Sequence, residues 1–434
     1  MKHLFLTTAI CILSATGGIA ADDSTWTYSA CVDYARQHNI SLQKLQVGEQ
    51  TAAYDLEEAK AQWQPSLDFA TTHGVNNYPW ADSRNNTYSS SYGFNAGWTV
   101  WNGGQRENTI RRDKINVEIS RLATDDLMRS IETDLLQVYL NILYARESIA
   151  IYEEASKLSK AQAERARQLM EAGRASKVDY AQLNSQYEQD RYALVNARGT
   201  YDTRRMELKK LLELGIDTEI SLADVEWTAE QILAALPDVD ESYRLALDTD
   251  VKLRSLALEA EGSKIDIDIA KASGRPKISL NAAVATGYNA PGAAFGNSMK
   301  QNFNEALGLT LSIPILDNKK SRTAVARVRA KKLDARLDIQ QRHTDLAQLV
   351  ENWYIDTRSA QARYSAAGEQ LVSAELTHEL TSEQFNLGLV NPIELMSAHN
   401  DLIEARHSLL QAKYMAILGQ KMIEFYRTST ITLN

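Results

Sequence analysis

The chain has 434 residues, a formal net charge of −9, a pI near 5.5 and a mean hydropathy of −0.36. No basic patch dense enough to neutralise a phosphate backbone stands out, which excludes nucleic acid as a partner, and two cysteines exclude a disulfide-stapled fold. Only 7 Pro and 20 Gly interrupt the chain, a scarcity that favours long helices over several compact domains.

Met1-Lys2-His3 is followed by an apolar stretch from Leu4 to Leu13 and by small residues ending at Ala20-Ala21. This reads as a cleavable signal peptide over 1–21, too short to serve as a membrane anchor. Cys11 lies inside it, where Thr8 and Ile10 do not suit lipid attachment, so Cys31 is left as a lone thiol on the first helix. No second apolar run is long enough to cross a bilayer as a helix, so contact with a membrane requires a closed barrel.

Strands are predicted at about 65–76 and 91–101. Tyr92, Phe94, Ala96, Trp98 and Val100 alternate with Ser91, Gly93, Asn95, Gly97 and Thr99, and Leu67 and Phe69 supply the partner strand. Alternating runs of about ten residues match membrane barrel strands, and Trp80, Tyr88, Trp98 and Tyr288 are available for the two interfaces. A long helical hairpin is expected over 104–213. In it Ile131, Leu135, Val138, Ile142, Ala145, Ile149 and Tyr152 recur at alternating spacings of 4 and 3, the seven-residue period of helices packed as coiled coils. The run from Gly104 to Met170 has no break, and at 1.5 Å per residue it makes a rod roughly 100 Å long. An irregular linker, 214–238, ends the first structural repeat, 22–238.

The second repeat, 239–434, copies the first. Asn39-Ile40-Ser41-Leu42 aligns with Asp250-Val251-Lys252-Leu253, an offset of 211 (250 − 39), and Trp101-Asn102-Gly103 aligns with Leu316-Asp317-Asn318, an offset of 215 (317 − 102). Four residues are therefore added between these points, in the strand region, where loops tolerate insertion. The copy predicts strands at about 276–287 and 302–313 and a hairpin over 317–426, with a second heptad seam of Leu346, Val350, Trp353, Thr357, Ala360, Tyr364 and Ala367. Four strands cannot close a membrane barrel, which needs about eight. Three chains would supply twelve strands and twelve helical rods. The expected fold is therefore mainly α, with long coiled-coil hairpins and a trimeric 12-stranded β-barrel.

The duplicated halves, the strand-to-helix junctions Trp98-Thr99-Val100-Trp101-Asn102-Gly103-Gly104 and Ile313-Pro314-Ile315-Leu316-Asp317-Asn318, and the Gly tips followed by Val178-Asp179 and Ile393-Glu394 resemble the TolC family of outer-membrane efflux proteins. The resemblance runs from Trp26 to about Tyr426. It implies a homotrimer set in outer-membrane lipid, with a periplasmic helical tunnel opened by a periplasmic adaptor and an inner-membrane pump, serving efflux or type I secretion. It also implies a belt around the tunnel, built from Leu214 to Asp240 and the C-terminus. The family's gate pairs an Asp with a Tyr and an Arg; here Asp179 holds the Asp position, but Phe385 and Val390 stand where the Tyr and Arg belong. Glu394 keeps an acidic pore position and Ser397 replaces the next one. Gly173 and Arg174 at one tip, with Leu387, Gly388 and Leu389 at the other, are the implied adaptor contacts.

Two other readings compete. Glu375-Leu376-Thr377-His378 and Glu404-Ala405-Arg406-His407 share the Glu-x-x-His spacing of di-iron helix bundles. With the helices reversing near 389 to 390, His378 should sit level with about residue 401, some 9 Å from His407 at 1.5 Å per residue, so a metal site is not favoured. A periplasmic coiled-coil adaptor or scaffold without a barrel would suit the heptads but not the paired alternating strands. No nucleophile triad, phosphate loop or cofactor motif is found, so the chain reads as a duct and not an enzyme.

Overall fold

A computed structural model describes residues 25–80, 86–288 and 294–433. The segment read as a signal peptide, 1–21, lies outside the described residues. The order is α1 (Tyr28–His38), α2 (Ile40–Ala61), β1 (Ser66–Asn77), β2 (Asn86–Trp101), α3 (Gln105–Glu171), α4 (Lys177–Leu211) and α5 (Ala229–Ile232), then α6 (Val239–Thr249), α7 (Val251–Ala272), β3 (Lys277–Tyr288), α8 (Phe295–Gln301), β4 (Asn304–Ser312), α9 (Lys320–Asn386) and α10 (Pro392–Thr428).

The internal copy is visible element by element. Asn39 ends α1 and caps α2, its Oδ1 accepting from Leu42 N at 3.1 Å, and Asp250 does the same for α7 through Leu253 N. Both α3 and α9 are 67 residues long. Each starts after two residues with positive φ, Gly103-Gly104 in the first half and Asn318-Lys319 in the second. Glycine adopts that backbone at little cost, whereas Asn and Lys hold it under mild strain.

The buried residues of α3 include Ile131, Leu135, Ile142 and Ala145, and those of α9 include Leu346, Val350, Thr357, Ala360 and Ala367. These are the heptad positions, so the seam seen in the sequence is the packing seam. The main core lies halfway along the hairpins, where Leu135, Leu136, Tyr139 and Ile142 of α3 meet Tyr414 and Ile417 of α10, with Cys31 of α1 and Ile220, Leu222 and Ile232 of the linker. Burial pushes the Cys31 thiol up to about 12, so it stays a protonated, inert packing group. The linker wraps this level. Trp26 N donates to Ser221 O at 2.7 Å and Ala223 N to Trp26 O at 3.0 Å, while Gln361 and Gln420 both donate to Ile232 O. It forms a belt over the helices in the place the family resemblance implied.

The four strands make one antiparallel sheet in the order β1-β2-β3-β4. Opposed residues share a face, and the register runs Phe69 to Phe94 to Val284 and Trp98 to Leu280 to Leu309. One face is thus mainly apolar on all four strands, with Thr71, His73 and Glu305 also on it, and its Leu67, Phe69, Val75, Phe94, Leu307, Leu309 and Leu311 are exposed. At the end away from the long helices it carries aromatics: His73 Nδ1 lies 2.7 Å from Tyr88 Oη, and the Tyr88 and Tyr288 rings are 6.1 Å apart. β4 is shorter than the expected 302–313 because α8 precedes it. Asn302 donates to Gly287 O at 2.8 Å and to Ser298 Oγ at 3.1 Å, ending α8 and leaving Phe303 outside the strand, while Pro314 follows its other end. No helix among the described residues is long and apolar enough to cross a membrane.

Candidate functional site

Each chain presents two hairpin tips. α3 turns into α4 through Gly173 at φ 71, and α9 turns into α10 through Gly388 at φ 73. In each tip two backbone bonds close the helix end: Gly173 N to Met170 O and Arg174 N to Leu169 O, matched by Gly388 N to Phe385 O and Leu389 N to Gln384 O. This is the left-handed C-terminal closure that glycine supports best.

The returning helices start on side-chain caps. Ser176 Oγ accepts from Asp179 N at 3.1 Å, and Asp179 Oδ2 accepts from Ser176 N at 3.0 Å. Asn391 Oδ1 accepts from Glu394 N at 3.0 Å, and Asn391 Nδ2 donates to Glu394 Oε1 at 2.9 Å. Asp179 and Glu394 are thus equivalent residues of the two halves, each fixed at the positive end of a helix, where a carboxylate is favoured. Among the gate candidates, Phe385 packs on a buried cluster of Ala163, Ala166, Leu183 and Leu395, Val390 is half-buried at the turn, and Glu394 and Ser397 are exposed along the start of α10. Among the candidate docking residues, Gly173, Arg174 and Gly388 are exposed, with Leu387 at 75% and Leu389 at 71%. Val178 and Ile393, equivalent positions one residue before Asp179 and Glu394, are also exposed and widen the apolar surface. Their 215-residue offset was visible in the sequence.

Above the tips, α4 and α10 are joined by a buried polar pair. His399 Nε2 lies 2.8 Å from Asp190 Oδ2, and Gln186 Nε2 donates to Asp190 Oδ1 at 2.9 Å and to Asn400 Oδ1 at 3.0 Å. Burial alone would raise the Asp190 carboxyl, but hydrogen bonds led by that from His399 outweigh it and hold the group below its usual range. On the other side of His399, the His378 ring lies 5.9 Å away. His407 instead lies against Tyr152, with ring centroids 4.5 Å apart, so the two Glu-x-x-His segments do not converge. Among the described residues no group of three or more His, Cys, Asp or Glu is arranged to hold a metal ion.

At the opposite end of the long helices, Arg106 is buried where the sheet meets the rods. It donates to Gln62 O at 2.9 Å, Thr99 O at 2.8 Å and Val100 O at 3.2 Å, and stacks 3.4 Å above the Trp63 ring. It ties the end of α2 to the bulge between Thr99 and Trp101. Sequence reading had no means of finding it, because an Arg in the first turn of an exposed-looking helix carries no local mark.

The signature described as outer membrane efflux protein matches residues 31–213 and 242–418. Among characterised proteins, the chain is 21% identical to the alkaline protease secretion protein AprF of Pseudomonas aeruginosa over 70% of this chain and 63% of AprF, so it spans less than two thirds of that relative. It is 19% identical to the outer membrane efflux protein BepC of Brucella suis over 95% of this chain and 88% of BepC. In structure it is similar to CusC, with a TM-score of 0.78 at 17% identity over 92% of this chain and 91% of CusC. VceC of Vibrio cholerae gives 0.74 at 13% identity over 91% and 95%. With the signature spanning both halves and the fold shared from the sheet to the tips, the chain belongs to the outer membrane efflux protein family, that of the TolC-like channels.

Proposed function

We propose that the protein is one of three identical subunits of a passive exit duct through the outer membrane, gated at its periplasmic tips and carrying cargo without chemistry. The observation that carries this reading is the four-stranded sheet. Its apolar face is exposed on all four strands and its outer strands, β1 and β4, have one neighbour each within the chain. Such a face is stable only against lipid, and such edges only when paired. Three copies provide twelve strands, and the long helices below provide the tunnel wall. An adaptor without a barrel has no use for this face. The expected result is a trimer in mild detergent and in outer-membrane fractions; mass measurement giving a stable monomer or dimer overturns it.

The gate in this reading uses apolar contact from Phe385 and Val390 together with the carboxylates of Asp179 and Glu394, with Ser397 next along the pore. Periplasmic adaptor contact falls to Gly173, Arg174, Leu387, Gly388 and Leu389, and an inner-membrane pump completes the assembly. Glu394 gives a direct test. Glu394→Gln keeps an oxygen for Asn391 Nδ2, so the cap survives while the charge is lost. Single-channel recordings are expected to show a lower cation preference, because a ring of symmetry-related carboxylates near a narrow axis attracts cations. Unchanged selectivity would take Glu394 out of the pore lining.

A further inference from the structure

Asp190, His399 and His378 form a chain across three helices, α4, α10 and α9, eleven residues beyond Gly388 on one arm and ten before it on the other. The side chains of His399 and Asp190 are 1% and 7% exposed. His399 Nδ1 and His378 Nε2 are buried without a partner. Both histidines border a cavity of about 390 Å³, which Glu154 and Leu158 of α3, Glu375 of α9, and Leu402 and Arg406 of α10 also line.

The charges around the histidines decide what a proton does there. Asp190 of α4 answers a charge on His399. The carboxylates of Glu154 and Glu375 are already drawn to Arg406, at 2.7 and 3.5 Å. Glu154 and Glu375 are 66% and 50% exposed and screened by water, so Arg406 and the neighbouring imidazole still oppose a charge on His378. Burial first, then His399 and Arg406, hold His378 below the ordinary histidine range. The sign follows. A histidine with a lowered folded value contributes its full stability above the ordinary value of about 6.5, and that stability is lost as pH falls through it.

We propose that Asp190, His399 and His378 act as a proton-operated clasp: acidification below the ordinary histidine range charges His378, parts α9 from α10 next to the tip, and makes the duct easier to open. The clasp rests on reading the tips as the closing end of a duct. The parting falls between α9 and α10, the helix pair that holds Gly388 and both histidines, while Asp190 of α4 in the first hairpin holds His399 in place.

The test is open probability of the purified full-length trimer in planar bilayers at pH 7.5 and 5.5. The expected result is a rise of roughly tenfold in acid, within the usual range of coupling between a switch and a conformational equilibrium. His378→Gln, neutral at every pH, is expected to flatten the rise to less than about twofold. His407→Gln, which removes a half-buried histidine outside the clasp, is expected to leave it. His399→Gln removes a neighbouring group that opposes protonation of His378, so the midpoint is expected to move to higher pH, an arm that holds even if His378→Gln fails to assemble. A rise that persists in His378→Gln, a rise equally lost in His407→Gln, or an unmoved midpoint in His399→Gln overturns the clasp. Conductance without pH dependence overturns the clasp alone, whereas no conductance at any pH overturns the duct reading as well.

Discussion

Leu389→Asp is expected to abolish export while leaving a normal amount of trimer in the outer membrane. Leu389 sits one residue past the Gly388 turn, 71% exposed, with Leu387 at 75% on the other side. Apolar side chains this exposed at a loop tip form a docking surface more often than they serve the fold. A carboxylate placed there must be desolvated when the adaptor closes over it, and an anchor lost in this way costs more than about 2 kcal/mol, roughly 30-fold in affinity. The fold has no such stake, because the turn is held by the Gly388 and Leu389 backbone N–H groups, which do not depend on the side chain. Export assayed in cells, alongside trimer abundance on a gel, separates the two effects. Export that survives, or a trimer that disappears, removes the tip as the docking site.

Gly419→Ala is expected to destabilise the second hairpin by about 2 to 3 kcal/mol, the range of overpacking in a closed core. A Cβ at Gly419 would collide with Thr357 Oγ1 and lie 2.9 Å from Thr357 Cβ. Thr357 is fully buried and its hydroxyl donates to Trp353 O at 2.5 Å, so it has no room to turn aside. Thermal unfolding of the variant should begin several degrees lower. The rescue is specific: Thr357→Gly combined with Gly419→Ala moves the missing side chain from one helix to the other and should recover most of the loss, a coupling between neighbours that a double-mutant cycle measures. If the double variant is no more stable than Gly419→Ala, the contact does not limit the packing of α9 on α10.

The sequence made legible whatever repeats locally. Heptads in α3 and α9, alternation in β2 and β4, and the glycine turns at 173 and 388 each follow from spacing within one segment, and the duplication shows every one of them twice. Features that bring distant residues together were not legible. His399 and Asp190 lie 209 positions apart, and neither residue is unusual within its own helix. His378 was expected level with about residue 401 and faces His399, so its height was readable while its neighbour was not. Gly419 gives no signal because a glycine inside a helix reads as a mild defect until the residue facing it is known. α8 was missed because seven residues between two strands read as a loop. Asp179 and Glu394 were singled out as gate carboxylates, and the structure adds that each is bound into a helix cap, a role a short sequence pattern does announce.

The equal length of α3 and α9 gives the chain the properties of a ruler. Both rods run 67 residues from the sheet to the tip, so the two tips of one subunit finish at the same height, roughly 100 Å from the sheet at 1.5 Å per residue. Removing seven residues from each of the four long segments keeps the heptad seam in phase and shortens the reach by about 10 Å. Removing seven from both arms of one hairpin alone keeps that hairpin in phase but leaves a stepped rim. Length in this protein can therefore drift only in whole heptads and in both halves together, and in the assembly proposed above the height of the rim sets how far a partner anchored in another membrane must extend to meet it.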